Sequence, residues 1–202
     1  MIRKCITIVM ALFLTCSSVY ALEVGGISLP DSVKADKTDL SINGAGLRTS
    51  FAFKVYAVGL YLKAKSNNAA SIINADEPMS LCMKWRMSIP PAKIDETYYK
   101  SFGTVLKVPK GDGYTAKTNY GPMTKDVVTF MGWLDRKETK KNDVWKYVYI
   151  PGKGTEVYIH DGTKEQLMGV IPGLEFKKAL FSIWLGEKPP VGDSLKKELL
   201  GK

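Results

Sequence analysis

NGAGLRTSFAFKVYAVGLYLK (residues 43–63) places one arginine, Arg48, at the entrance to a long apolar run. Phe51, Phe53, Val55, Ala57 and Tyr61 fall on one alternating face of that run, and Ala52, Tyr56, Val58, Leu60 and Leu62 on the other. A strand covered on both sides reads this way. Lys54 is the exception; it either snorkels at the strand's start or faces a pocket. Arg48 differs in kind, because a guanidinium beside an apolar strand keeps its charge and must meet an anion or stay in water. Gly44 and Gly46 ahead of it permit tight or positive-φ backbone. The plain account is therefore a turn arginine reaching solvent or a carboxylate, and the functional account is an anion-binding group in a cleft.

Outward from this stretch, VKADKTDLSIN (residues 33–43) alternates loosely and predicts an early strand. A short helix over residues 68–74 leads into a second apolar strand, MSLCMKWRMSI (79–89), which Pro90 and Pro91 stop while suiting the start of a helix. AKIDETYYKSFGTVLKV (92–108) carries Ile94, Tyr98, Ser101, Phe102 and Val105 at helical spacing, so Tyr98 points inward and Tyr99 less so. A glycine-rich loop (107–122) precedes a second amphipathic helix, MTKDVVTFMGWLDR (123–136). VWKYVYI, the turn PGKG and TEVYIHD form a hairpin, Asp161-Gly162 turns into QLMGVIP, and two helices finish the chain. Strands first, with helices intermixed and late, give an α+β domain.

The chain's first residues read differently. MIRKCITIVMALFLTCSSVYA (1–21) has a basic start, a short apolar core and small residues leading to Ala21, the pattern of a cleaved secretory signal peptide. The domain then occupies residues 22–202, periplasmic or secreted, with no integral membrane segment after cleavage. A lipoprotein alternative would acylate Cys16, but Thr15 stands where a smaller residue is expected. Of the three cysteines only Cys82 remains with the domain, so no internal disulfide forms, and its apolar surroundings suggest a buried, inert thiol. The formal net charge is +9, and +7 once Arg3 and Lys4 leave with the leader. The lysines are scattered over loops and helix faces, clustering only near residues 136–141 and the C-terminus. That argues against a nucleic-acid partner.

Little conventional catalytic chemistry is on offer. His160 is the single histidine, at a strand end beside a turn, and reads as a surface residue. No Cys/His spacing matches a metal site, and no cofactor is expected. PGKG (151–154) and KGDG (110–113) superficially look like phosphate loops. Neither matches the P-loop pattern, and the first joins two strands where helix amides would be needed. Trp133, Trp145 and Trp184 read as core packing.

Asn-Gly-Ala-Gly-Leu-Arg, ending at Arg48, followed by Phe-Lys-Val-Tyr-Ala-Val-Gly-Leu-Tyr-Leu, resembles the chalcone isomerase superfamily. GVIPG and GLEFKKALFSIWLGEKPPVGDSLKKELLG near the C-terminus resemble its exported bacterial branch. The resemblance implies an open-faced β-sandwich, a large antiparallel sheet covered by a layer of helices, with a ligand cleft between the layers. In the plant isomerases the arginine matching Arg48 binds and activates a chalcone for ring closure. In the fatty-acid-binding members an arginine and a tyrosine hold the carboxylate. The plant enzymes have a threonine where this chain has Tyr56. Their helix also bears a tyrosine and an asparagine, and against it this helix offers Ile94 with Ser101, or Tyr98 one turn on, and no asparagine.

Two functions from different classes follow. In the first, Arg48, helped by Tyr56 and Tyr98, clamps the head of a small amphipathic carboxylate such as a fatty acid while apolar side chains take up its chain. In the second, Arg48 and Tyr56 serve an isomerase or intramolecular lyase, with Arg48 stabilising a developing enolate. The missing threonine and asparagine favour binding. A weaker third possibility is a structural or partner-binding domain with a closed cleft.

Overall fold

The computed structural model describes residues 21–111, 113, 116–120, 123–135 and 138–202. The expected leader lies outside these residues except for Ala21, which opens a strand. Among the described residues there are nine strands, five of them ahead of the first helix. They are β1 (Ala21–Val24), β2 (Ile27–Pro30), β3 (Ser32–Ala35), β4 (Thr38–Ser50), β5 (Phe53–Leu62), β6 (Met79–Trp85), β7 (Val144–Ile150), β8 (Gly154–His160) and β9 (Glu165–Ile171). The helices are α1 (Ala69–Asn74), α2 (Pro91–Val105), α3 (Ala116–Asn119), α4 (Lys125–Leu134), α5 (Leu174–Leu185) and α6 (Asp193–Leu199). Strands β3 to β9 form one antiparallel sheet in sequential order, and β1 pairs with β2 as a separate ribbon. No helix among the described residues is long and apolar enough to cross a membrane.

The two-faced pattern of β5 explains the layering. Tyr56, Val58, Leu60 and Leu62 point into the main core, where Phe102 of α2, Phe130 of α4 and Phe176 and Phe181 of α5 are buried. Each such side chain contributes ~1.5–3 kcal/mol when removed from water. On the opposite face Ala57 packs with Ile27 and Leu29 of the ribbon. Tyr61 and Cys82 pack there with Ala35 and Leu40 from the curled edge of the sheet. The Tyr61 hydroxyl donates to the Pro30 carbonyl at 2.8 Å. Burial pushes the Cys82 thiol up to about 12, so it is inert near neutral pH.

Several expectations are corrected. Residues 33–43 do not make one strand: Asp36, at φ 52°, turns the chain between β3 and β4. Arg48 is not in a turn but inside the 13-residue strand β4. Gly44 and Gly46 are not at positive φ. Their role is steric, since α6 lies so close that a Cβ on Gly44 would sit 2.6 Å from the Leu199 carbonyl oxygen. Asn43 finishes this junction, donating to the Leu199 carbonyl at 2.8 Å and the Ser66 carbonyl at 2.9 Å while accepting from Ser66 N–H at 2.8 Å. Phe51 does not continue the buried face; it occupies the two-residue turn between β4 and β5 and is fully exposed, and Phe53 follows it into solvent. Lys54 is exposed as well. Tyr99 is as deeply buried as Tyr98. The expected glycine-rich loop contains the short helix α3, with residues 112, 114, 115, 121 and 122 outside the described set.

One buried charge carried no signal in the sequence pattern. Lys177 of α5 has no solvent exposure, and its ammonium donates to the carbonyls of Ile72, Ile73 and Ala75 at 3.0, 2.8 and 2.6 Å. These are the carbonyls left open at the end of α1. Burial pulls its pKa down to about 8 against the attraction of Asp76.

Candidate functional site

The helices do not seal against the sheet everywhere. Where β4 and β5 run toward their turn, a cavity of about 300 Å³ opens between sheet and helices. Arg48, Val55, Tyr56 and Trp85 form its floor. Ile94, Thr97, Tyr98 and Ser101 of α2 make one wall, and Ile183, Trp184, Pro190 and Val191 the other. Phe51, Phe53, Met87 and Lys93 also line it. The lining is mostly apolar with a few converging polar groups, the composition of a small-molecule site.

Arg48 and Tyr56 face each other across the β4–β5 ladder. Just beyond them the register slips by one residue, because Thr49 pairs with Lys54 and leaves Val55 unmatched. Such bulges re-aim side chains and recur beside functional sites. Arg48 is half-buried, and its Nη1 donates to the Val191 carbonyl at 2.7 Å. Among the described residues no carboxylate pairs with it. A guanidinium offers five N–H donors, so most of its capacity is unclaimed.

The Tyr56 hydroxyl accepts from Trp184 Nε1 at 3.2 Å and donates to no described residue. Burial pushes its pKa up to about 12, with the Trp184 bond and the Arg48 charge pulling the other way. At neutral pH it therefore keeps its proton and can donate it. A little deeper, the hydroxyls of Tyr98 and Tyr147 share one hydrogen bond of 2.5 Å. Burial holds both far above the usual phenol range. Only Tyr98 of the pair lines the cavity, and its hydroxyl is engaged by Tyr147 behind it. The site thus presents a fixed cation and an uncharged O–H donor in an apolar setting. It can hold an anion, and none of the described residues lining it is a carboxylate or histidine poised to remove a proton near neutral pH.

The structure brings together all three residues expected at the site, Arg48, Tyr56 and Tyr98, and places Ile94 and Ser101 in the same wall. Sequence reasoning missed Tyr147, whose strand reads as ordinary period-two packing. It assigned Trp184 to packing alone, although that indole also lines the cavity and orients Tyr56. His160 lies at the end of β8, where its Nδ1 accepts from Gly162 N–H at 3.1 Å.

A family model described as chalcone isomerase-like matches residues 21–201. No curated protein matches the sequence. Among solved structures, a fatty-acid-binding protein of Arabidopsis thaliana superposes with a TM-score of 0.64 at 17% identity, covering 87% of this chain and 92% of its own. At that identity the likeness speaks to the fold.

Proposed function

Because the chain belongs to the chalcone isomerase-like family and its cavity sets a guanidinium that no described carboxylate pairs beside a hydroxyl that donates to no described residue, we propose that it binds a fatty acid or similar amphipathic carboxylate through Arg48, without catalysis. The observation that carries this reading is the convergence of Arg48 and Tyr56 across the β4–β5 ladder, where Arg48 spends one donor on the Val191 carbonyl and meets no carboxylate among the described residues, and the Tyr56 hydroxyl donates to none of them. A carboxylate supplies the missing acceptors in charge-assisted bonds. The apolar walls from Val55, Trp85, Ile94 and Ile183 take up the adjoining methylenes at ~0.8 kcal/mol each. That a fatty-acid-binding protein shares the fold supports the same ligand class. Ring closure of a chalcone is disfavoured: Tyr56 replaces the threonine of the plant enzymes, and its raised pKa keeps it protonated near neutral pH, so no phenolate is at hand to act as a base.

The decisive experiment titrates the protein with dodecanoate and with dodecanol. The carboxylate should bind at least ~tenfold tighter, the worth of a charge-assisted bond. Equal affinities would remove the anion from the explanation. We place this function outside the cytoplasm, on the basic, apolar and small-residue order of residues 1–21. Intact mass of the exported protein should correspond to a chain starting at Leu22, and retention of residues 1–21 would overturn that placement.

A further inference from the structure

Phe51 and Phe53 stand in water beside the cavity, with relative exposures of 100% and 64%. Both occur within three residues at the β4–β5 turn, and both belong to the lining of the cavity that holds Arg48. Phe51 also takes φ 53°. The β3–β4 turn uses Asp36 for the same backbone state, a residue that tolerates it, whereas a bulky aromatic does so only under strain. Glycine at position 51 would relieve both the strain and the exposed ring. Along the hairpin itself the charge is of one sign: no acidic residue occurs between Asp39 and Asp76, while Arg48 and the exposed Lys54 flank the two rings, and Lys93, which lines the same cavity, is paired with Glu96 at 2.7 Å.

We propose that this aromatic tip docks the protein on an anionic phospholipid bilayer, presenting the cavity mouth to the membrane so that an amphipathic carboxylate passes between the two. Rings at the headgroup boundary with lysines beside them match the physics of interfacial anchoring, in which apolar insertion and attraction to anionic lipid act together. A projecting two-ring tip is too small for a stable protein interface, which needs ~1,200 Å² or more. A bilayer imposes no such requirement. The location gives the proposal its purpose, since a chain leaving the membrane beside Phe51 and Phe53 stays out of water until its carboxylate meets Arg48.

The proposal extends the fatty-acid reading, and its test keeps the two separable. Vesicle binding is scored without fatty acid, and fatty-acid affinity without vesicles. The exported protein, purified as the chain that starts at Leu22, is co-sedimented with vesicles of phosphatidylglycerol and phosphatidylcholine, and with phosphatidylcholine alone, beside F51S/F53S, F51W and K54E variants carried through the same preparation. The wild type should favour the anionic vesicles. F51S/F53S should lose about tenfold or more in partitioning, F51W should retain it, and K54E should lose about fivefold or more on anionic vesicles only. Thermal melts confirm that each variant is folded. Undiminished binding by F51S/F53S, or equal binding to both vesicle types, would overturn the proposal. So would a wild-type dimer in sedimentation velocity that F51S/F53S abolishes while vesicle binding persists, since the tip would then serve self-association.

Discussion

At the Asn43 end of the β4–β5 hairpin every exposed claim is answered: Asn43 spans Ser66 and Leu199, Leu47 N–H donates to Glu198 Oε2 at 3.1 Å, and α6 rests against bare glycine backbone. At the Arg48 end the same two strands leave, among the described residues, a guanidinium without a carboxylate, a hydroxyl without an acceptor and two phenylalanines in solvent. A one-residue register slip marks each end, at Asn43 and at Val55. The same backbone irregularity thus serves closure in one place and access in the other. What decides between them is what lies opposite, a helix against Asn43 and a cavity against Arg48.

The heaviest blow to this contrast falls on the closed end. Gly44→Ala would drive a methyl into the carbonyl oxygens of Glu198 and Leu199, which are backbone and cannot rotate away. The loss should reach ~3 kcal/mol or more, roughly 6–12 °C in melting temperature for a chain of this size. A melt within a degree or two of wild type would break the account of α6 as a close-packed clamp.

At the open end the signature should invert. Arg48→Ala should cost ~1.5–3 kcal/mol of dodecanoate affinity, at least about tenfold by calorimetry, with little change in the melt. Arg48→Lys should recover only part, lacking the planar fork. A lowered melt with unchanged affinity would move Arg48 to the structural side of the comparison.

Lys177 supplies a pH test of the closed side. Its folded pKa, near 8, lies below the ~10.4 of an unfolded lysine, so between those values the unfolded chain holds more protons and stability rises with pH. The slope cannot exceed ~1.4 kcal/mol per pH unit for one proton. Below about pH 8 both states are protonated and the term is constant. From about pH 8.5 Cys82, and above about pH 10 Tyr56 and Tyr149, all pushed up to about 12, keep protons that the unfolded chain has lost and so oppose the rise. Denaturant titrations across this range should show the Lys177 contribution as a difference, with wild type gaining on Lys177→Met between pH 8 and pH 10. A difference that stays flat or falls over that interval would contradict the burial of that charge.

The smallest effect belongs to Tyr56→Phe. Removing one neutral donor should weaken dodecanoate by ~1 kcal/mol, about fivefold. An effect as large as that of Arg48→Ala would make the hydroxyl an equal partner in holding the anion.

How much of this was legible depends on how far apart in sequence the partners lie. Alternation alone identified β5 as a strand buried on both faces, because that pattern is local. The family motif, not the spacing, pointed to Arg48, Tyr56 and Tyr98 as a set. Gly44 and Gly46 were misread as turn glycines because the helix that requires them lies some 150 residues away, and a glycine looks the same whether it frees φ or makes room. Lys177 sits among apolar residues as snorkelling lysines do, and only the end of α1 shows why it does not reach water. Phe51 and Phe53 fit the alternation and broke it, since period two says which face a residue takes but not where the turn falls.

The position of Trp184 has an optical consequence. The chain has four tryptophans, and two of them, Trp85 and Trp184, line the cavity. The indole N–H of Trp184 is bonded to the same hydroxyl proposed to meet the ligand. Filling the cavity changes the polarity around two of the four emitters, while Trp145, buried against Trp85 with ring centroids 5.3 Å apart, does not line it. Occupancy is thereby written into the intrinsic ultraviolet emission, and the unlabelled protein can report its own filling in a cuvette or in a stopped-flow cell.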